Sequence, residues 1–214
     1  MIVFISGPMF SSKSKRVEEY YRSATFKSKK NVRVFKPYKD TRDYGVVSSR
    51  DNLEIEAILI EDLLDITKYI DDKTTDIFID EINLFENIPD KKSLRTKAFY
   101  EERNERINRI ILLFEYLNYK RNINIFLAGL NYNSERKPFG IAPFLIPLAN
   151  SVDNLQARCT VCNAPATHTN FKGIKNSEVV IGSDEYEPLC AEHWIDAQIS
   201  KDEDYVKKIT GELE

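Results

Sequence analysis

The sequence IVFISGPMFSSKS, residues 2–14, decides the fold. Its first part, Ile2–Ser6, is a short apolar run typical of a buried strand, and an amphipathic stretch follows from Lys13. Gly7, Lys13 and Ser14 fit the phosphate-loop pattern G-x-x-x-x-G-K-[S/T], which lies between a strand and a helix. The sequence therefore predicts a loop whose backbone N–H groups surround phosphate oxygens at the N-terminus of a helix.

The side chains of this loop have separate expected roles. Lys13 directs its charge toward the terminal phosphates, and the Ser14 hydroxyl is a ligand for magnesium. One position departs from the pattern, because Ser12 stands where the second glycine is usual and its side chain has to fit close to phosphate. The alternative interpretation of the loop alone is an ordinary strand, turn and helix that happens to contain a Lys-Ser pair.

The rest of the N-terminal two-thirds alternates short apolar runs with longer amphipathic stretches. Three further runs have the character of a short buried strand: Val32–Phe35, Asp76–Ile79 and Ile123–Ala128. The amphipathic stretches are Lys13–Lys30, about Glu61–Asp71 and about Lys91–Arg121. This alternation predicts an α/β fold, with a parallel phosphate-loop sheet flanked by helices.

The stretch Lys91–Arg121 is long and densely charged. Its apolar residues have the spacing of one helical face: Ile107, Ile110, Ile111, Phe114 and Leu117. The charged residues are most simply the solvated face of that helix. The alternative hypothesis is that they form a docking surface or an oligomer contact.

Two acids follow the run Asp76–Ile79. Polar groups at the carboxyl end of a central strand lie where α/β sheets bind ligands. We expect Asp80 to hold magnesium, directly or through water, and Glu81 to act as general base toward an acceptor hydroxyl. The alternative is a helix N-terminus that carries acids because of the helix dipole. Loop and acids together favour a nucleotide site, since such a site needs both.

The residue composition and the pattern of apolar runs change near Ser151. Cysteines appear, with short β-like runs at Ala166–Phe171 and Glu178–Ile181, and Ala191–Ile209 reads as a closing helix. We therefore predict two units, a nucleotide-binding α/β domain over residues 1–150 and a small zinc-binding lobe over residues 151–214.

Four residues of this C-terminal unit have the spacing of a metal site. Cys159 and Cys162 form C-x-x-C, and Cys190 with His193 forms C-x-x-H. Two such pairs predict tetrahedral zinc, and four protein ligands leave no position for substrate, so the zinc is expected to be structural. The alternative is a buried thiol cluster without metal. The second histidine, His168, is predicted to be a surface or packing residue.

Composition excludes some classes of function. The chain has 31 basic and 34 acidic residues, which argues against a dedicated nucleic-acid binder. The apolar run Met1–Ile5 is too short for a signal peptide or a membrane span. We therefore expect a cytoplasmic protein with no membrane partner.

Taken in order, these features resemble the zinc-containing (type II) thymidine kinases. Five segments carry the resemblance, which covers nearly the whole chain. They are Gly7–Ser14; Lys36–Arg42, KPYKDTR; Asp80–Phe85, DEINLF, similar to D-E-x-Q-F-F; Arg136–Gly140, RKPFG, with Pro147–Ala149; and Val180–Tyr186 followed by Cys190 and His193.

The resemblance implies transfer of the ATP γ-phosphate to the 5′-hydroxyl of thymidine, with Mg and ATP, structural zinc, and Glu81 deprotonating the sugar hydroxyl. The positions matching the phosphate site are Gly7, Ser11, Ser12, Lys13, Ser14, Asp40, Arg42 and Asp80. The positions matching the base and sugar pocket are Leu130, Phe139, Thr169, Val180, Gly182 and Tyr186. The segment within Asn163–Leu189 is expected to cover the base as a lasso-like loop. The family is usually tetrameric and feedback-inhibited by dTTP.

Some positions depart from the family pattern. Asn83 replaces the usual glutamine, Asn131 replaces an aspartate, and Leu84 and Ser134 replace aromatic residues. The stretch between Phe85 and Ile123 is also longer than usual by several helical turns. These changes, with Ser12, motivate a second hypothesis, a catalytically impaired kinase-like protein that binds nucleotide or nucleoside as a sensor or sequestering module. Retention of Lys13, Ser14, Asp80 and Glu81 favours the active kinase.

Overall fold

The computed structural model describes residues 1–27, 31–41, 45–48, 54–89, 91–173, 182, 184–202 and 204–211. Its strands are β1 Ile2–Ser6, β2 Val32–Pro37, β3 Val46–Ser48, β4 Glu54–Glu56, β5 Ile58–Ile60, β6 Asp76–Ile79, β7 Asn124–Gly129, β8 Ser151–Asn154, β9 Ala157–Arg158, β10 Pro165–Ala166, β11 His168–Phe171 and β12 Tyr186–Leu189. Its α-helices are α1 Lys13–Arg22, α2 Lys97–Tyr119, α3 Ala142–Leu145, α4 Ala191–Lys201 and α5 Tyr205–Thr210.

The centre of the protein is a six-stranded sheet in the order β5-β2-β6-β7-β1-β8, and every pair in it is parallel. All five residues of β1 and all four of β6 are buried, as expected for strands covered on both faces. The predicted α/β fold is therefore confirmed, including its four strands. The edge strands β5 and β8 were not predicted.

Alternate residues of each strand enter two hydrophobic clusters, one on each face of the sheet. Ile2 and Phe4 pack with the buried face of α2, whereas Val3 and Ile5 pack with Val17 of α1. On the α1 side the rings of Phe78 and Phe126 are stacked, with centroids 4.4 Å apart. Helices thus cover the sheet on both faces, and its carboxyl edge is occupied by loops.

The long charged stretch forms α2 over Lys97–Tyr119, and the Thr96 hydroxyl accepts a hydrogen bond from Phe99 N to cap it. The predicted face is confirmed, since Ile107, Ile110, Phe114 and Leu117 are buried and Ile111 packs against the core. A docking or oligomer role for the opposite face stays a prediction.

Three helix predictions differ from the structure. The first helix ends as α at Arg22 and continues as one π turn over Ser23–Lys27. The second is a 3₁₀ turn over Leu63–Lys68, which Asp62 caps by accepting a hydrogen bond from Leu64 N. The predicted helix Ala191–Ile209 is two helices, because Asp202 is extended and its carboxylate accepts a hydrogen bond from Asp204 N.

The C-terminal part adds two small antiparallel pairs, β9–β10 and β11–β12, with α4 packed on them. The predicted run Ala166–Phe171 is divided between β10 and β11, and Glu178–Ile181 lies outside the described residues. Because β8 is part of the main sheet, that sheet extends past residue 150, and the division into two units stays a prediction. No helix among the described residues has the length and apolarity needed to span a membrane.

Candidate active site and metal cluster

The loop between β1 and α1 has the backbone shape of a tight turn around an anion. Gly7 lies so close to the chain that a Cβ there would be 2.7 Å from the Leu155 carbonyl oxygen. Phe10 and Ser12 both have φ of 64°, in the left-handed region. The buried Ser11 hydroxyl donates to the Pro8 carbonyl oxygen over 2.8 Å, which ties the loop to itself. These contacts define the shape of the loop.

Lys13 and Ser14 occupy the first turn of α1 and are half-buried. The Lys13 ammonium donates to the carbonyl oxygens of Gly7 and Pro8, at 3.2 and 2.8 Å. These bonds hold its charge over the loop, beside the N–H groups at the start of α1. The arrangement matches the chemistry that phosphate binding requires.

Ser12 is the N-cap of α1 in the left-handed conformation, and its side chain makes no capping hydrogen bond. A non-glycine residue in this conformation costs about 1 kcal/mol. Ser12→Gly should therefore stabilise the protein by about 0.5–1 kcal/mol and raise Tm by roughly 1–4 °C. Thermal unfolding followed by calorimetry measures this change.

Ser23→Gly is the matched control, because Ser23 has backbone dihedral angles in the ordinary right-handed region, with φ of −61°. Glycine there should lower stability by about 0.5–1 kcal/mol. A Ser12→Gly protein that is less stable than wild type would contradict the assignment of strain to Ser12.

Asp80 and Glu81 follow β6 at the same edge of the sheet, because parallel strands present their carboxyl ends together. Burial, the nearby Glu81 charge and only partial compensation by Lys36 and Lys13 raise the pKa of Asp80 to about 7. The Asp80 carboxylate accepts a hydrogen bond from Glu81 N at 3.0 Å. Glu81 itself has φ of 50°, a strained backbone of the kind found at functional sites.

A buried ion pair next to these acids was not predicted. Lys36 Nζ lies 3.0 Å from the Asp40 carboxylate, with side chains 3% and 1% exposed, and it also donates to the Val46 carbonyl oxygen. Lys36 lies one residue beyond Phe35, which pairs with Ile79 in the sheet, so the ammonium is beside Asp80. Asp40 is thus linked to the acids through Lys36, whereas Arg42 lies outside the described residues.

The predicted nucleoside residues come from several loops at this edge. Leu130 follows β7, and its N–H donates to the Asn83 amide oxygen at 2.7 Å. Phe139 is buried, and the next residue, Gly140, is packed so tightly that a Cβ would be 2.0 Å from the Asn83 carbonyl oxygen. Leu130 and Phe139 are therefore brought together around Asn83.

The remaining predicted residues lie on β11, β12 and the chain before β12. The buried Thr169 hydroxyl accepts a hydrogen bond from Met9 N at 3.0 Å, so β11 contacts the phosphate loop directly. The Tyr186 ring packs on Phe171, with centroids 5.1 Å apart. Gly182 is half-buried beside the Glu185 side chain, and Val180 lies outside the described residues.

Cys159, Cys162, Cys190 and His193 form one cluster, with their ligand atoms within 4.8 Å of one another. The Cys162 and Cys190 sulfurs are 3.9 Å apart, and Cys159 Sγ is 3.7 Å from His193 Nδ1. Ligand atoms about 2.3 Å from a tetrahedral zinc are about 3.8 Å apart, so the spacing fits this ion. The cluster predicted from the sequence can hold a metal ion.

The helix of this cluster is connected to the loop that carries Phe139. Trp194 is 6% exposed, and its indole N–H donates to the Ser134 carbonyl oxygen at 3.2 Å. His168 packs on the same indole ring, with centroids 5.1 Å apart, which agrees with its predicted packing role. The sequence contained no signal for the Trp194–Ser134 bond, because its partners are 60 residues apart.

Comparison with known proteins gives a consistent result. A family model described as thymidine kinase matches residues 1–101 and 107–194. A thymidine kinase of Pseudothermotoga lettingae is 31% identical over 193 residues, covering 88% of this chain and 91% of that protein. One of Mesomycoplasma hyopneumoniae is 32% identical over 193 residues, covering 89% and 92%. With this match over most of its length, the chain belongs to the thymidine kinase family.

Proposed function

We propose that this protein is an ATP-dependent thymidine kinase, which transfers the γ-phosphate of ATP to the 5′-hydroxyl of thymidine and gives dTMP. The observation that carries the proposal is the meeting of a phosphate loop, Gly7–Ser14, with the acids Asp80 and Glu81 at one edge of the sheet in a member of this family. Phosphoryl transfer needs mainly positioning and charge neutralisation, and these groups supply both.

Each group has a role in this reaction. Lys13 and the loop N–H groups bind and orient the ATP phosphates, with Asp40 at their border. Ser14 and Asp80 offer the hard oxygen ligands that magnesium prefers, and a divalent cation would offset the cost of the buried Asp80 carboxylate. When bound with ATP, magnesium neutralises charge that develops on the phosphates. Glu81 accepts the proton of the attacking sugar hydroxyl.

In this proposal the walls of the nucleoside pocket are formed by four residues: Leu130, Phe139, Thr169 and Tyr186. An aromatic wall with backbone hydrogen bonds suits a flat pyrimidine. Gly182 and the residues around it belong to the covering loop, whose ends are held by the Cys159–His193 cluster with structural zinc. Arg42 and Val180 keep the roles that the family resemblance implies.

The wider properties of the family complete the proposal. A homotetramer, feedback inhibition by dTTP and a cytoplasmic location are expected from the resemblance. Nucleic acid is not an expected partner, because basic and acidic residues nearly balance at 31 and 34.

An acceptor-dependent assay tests the function. Zinc-loaded protein with Mg and ATP should release ADP only when thymidine is added, and dTMP should appear in equal amount. A panel of deoxynucleosides measured in parallel gives the preference. Binding of thymidine and ATP without transfer to any deoxynucleoside would overturn the proposal in favour of a sensor or sequestering protein.

A further inference from the structure

Arg103, on the inner side of α2, joins two loops of the candidate site. Its Nε donates to the Glu86 carbonyl oxygen at 2.8 Å, and its Nη2 donates to the Gly140 carbonyl oxygen at 3.1 Å. The guanidinium also lies over the Phe144 ring, 5.4 Å from its centroid. One side chain therefore connects α2 with the segment after Glu81 and with the turn after Phe139.

The two loops meet through backbone groups at the point that Arg103 bridges. Ile141 N donates to the Phe85 carbonyl oxygen at 3.0 Å. Gly140 has φ of 55° and sits against the carbonyl oxygens of Asn83 and Phe85, where a Cβ would be 2.0 and 2.5 Å away. Any shift of one loop at this junction is passed to the other, since there is no space to absorb it.

Arg106, one turn further along α2, supports the same segment. Its guanidinium contacts the Glu86 carboxylate at 2.9 Å and the Asp62 carboxylate at 3.1 Å. Glu86 has φ of 54°, so its backbone is held in a strained conformation. Arg103 at the carbonyl and Arg106 at the carboxylate thus hold Glu86 from two sides.

These arginines are not supplied by the match to the family model. That match stops at residue 101 and resumes at residue 107, and both Arg103 and Arg106 lie between. Their role follows from the contacts that they make from α2.

We propose that Arg103 is a positioning residue for phosphoryl transfer. Arg103 fixes the Gly140 turn against Glu86. It thereby fixes the distance between Phe139, a wall of the nucleoside pocket, and the Glu81 carboxylate on the other side of the nucleoside. This inference rests on the proposed thymidine kinase function. The proposal makes a specific prediction, because Arg103 bonds to Glu86 and Gly140 on the acceptor side and has no polar contact with the phosphate loop among the described residues.

Steady-state kinetics of three variants test the inference. In Arg103→Ala, KM for thymidine should rise and kcat should fall, each roughly tenfold, because a small misplacement of reacting groups is costly. KM for ATP should stay within about twofold of wild type. Arg103→Lys should recover part of the loss, since one ammonium can donate to either carbonyl oxygen. Arg109→Ala is the matched control, because Arg109 is exposed on the same helix and has no polar contact among the described residues.

Several results separate the possibilities. A variant that only loses folded protein would lower the apparent kcat and leave both KM values unchanged, and this would overturn the inference. Equal values of kcat and of KM for thymidine in Arg103→Ala and Arg109→Ala would also overturn the inference. If wild type does not phosphorylate thymidine, the proposed function fails, and hydrogen exchange of the Ile141 amide still tests the junction. Faster exchange in Arg103→Ala than in Arg109→Ala supports the coupling of the loops, and equal exchange overturns it.

Discussion

Glu81→Gln should lower kcat for thymidine phosphorylation by roughly 10²–10⁴-fold while thymidine and ATP still bind. Glutamine keeps the size of the side chain but cannot take the proton of the 5′-hydroxyl. It also keeps the same backbone requirement at φ of 50°, so the change isolates proton transfer from strain. Asp80, directly before it, remains in place to support the metal.

Turnover and binding have to be measured on the same preparation of Glu81→Gln. Acceptor-dependent ADP release gives kcat, and calorimetry gives the dissociation constants of both substrates. Glu105→Gln is the control for loss of one carboxylate, because Glu105 is exposed on α2 and has no polar contact within the described ranges. A Glu81→Gln enzyme with kcat near that of Glu105→Gln would assign the general base to another residue.

The sequence predicted those parts of the fold that depend on local patterns. The four central strands are short and mostly apolar runs, which is typical of strands buried on both faces, although β2 contains Arg33 and β6 begins with Asp76. The edge strand β8 was missed because its residues are largely exposed, with Val152 44% exposed. The turn Leu63–Lys68 was taken for a longer helix, since a period near three residues is similar in both.

The residues of the candidate site likewise divide into those that a local sequence pattern predicts and those that it does not. Asp80 and Glu81 were recognisable because they follow a buried strand in a chain that also has a phosphate-loop pattern, and a nucleotide site needs both features. The hydrogen bonds of Arg103 could not be predicted from the sequence, because its two acceptors are backbone carbonyls 17 and 37 residues away along the chain. Charge on an amphipathic helix predicts solvent exposure, and only the packing of the loops shows which arginine turns inward.

Loss of the metal cluster should have the other large effect. Cys162 is exposed, so Cys162→Ser changes little packing but replaces a thiolate ligand with a hydroxyl. Structural zinc contributes about 10–16 kcal/mol in small zinc-binding peptides, which is as large as the whole net stability of a typical domain, about 5–15 kcal/mol. Cys162→Ser should therefore lose one equivalent of zinc, measured by elemental analysis, and loosen the fold around β9–β12. Val161→Ala is the matched control, since Val161 is 64% exposed between two ligands and binds no metal itself.

The emission of the single tryptophan, Trp194, reports whether zinc loss affects the loop beside the nucleoside pocket. Trp194 follows the ligand His193 directly and bonds to Ser134, so zinc loss should expose the indole and release the loop that carries Phe139. We expect a red shift of tryptophan emission and a rise in KM for thymidine of at least about tenfold. KM for ATP should change less, because the phosphate loop is held by bonds of its own, from Ser11 to Pro8 and from Lys13 to Gly7 and Pro8. Equal increases in both KM values would mean that the cluster supports the whole chain, and an unchanged emission spectrum would mean that Trp194 does not connect the metal to the nucleoside pocket.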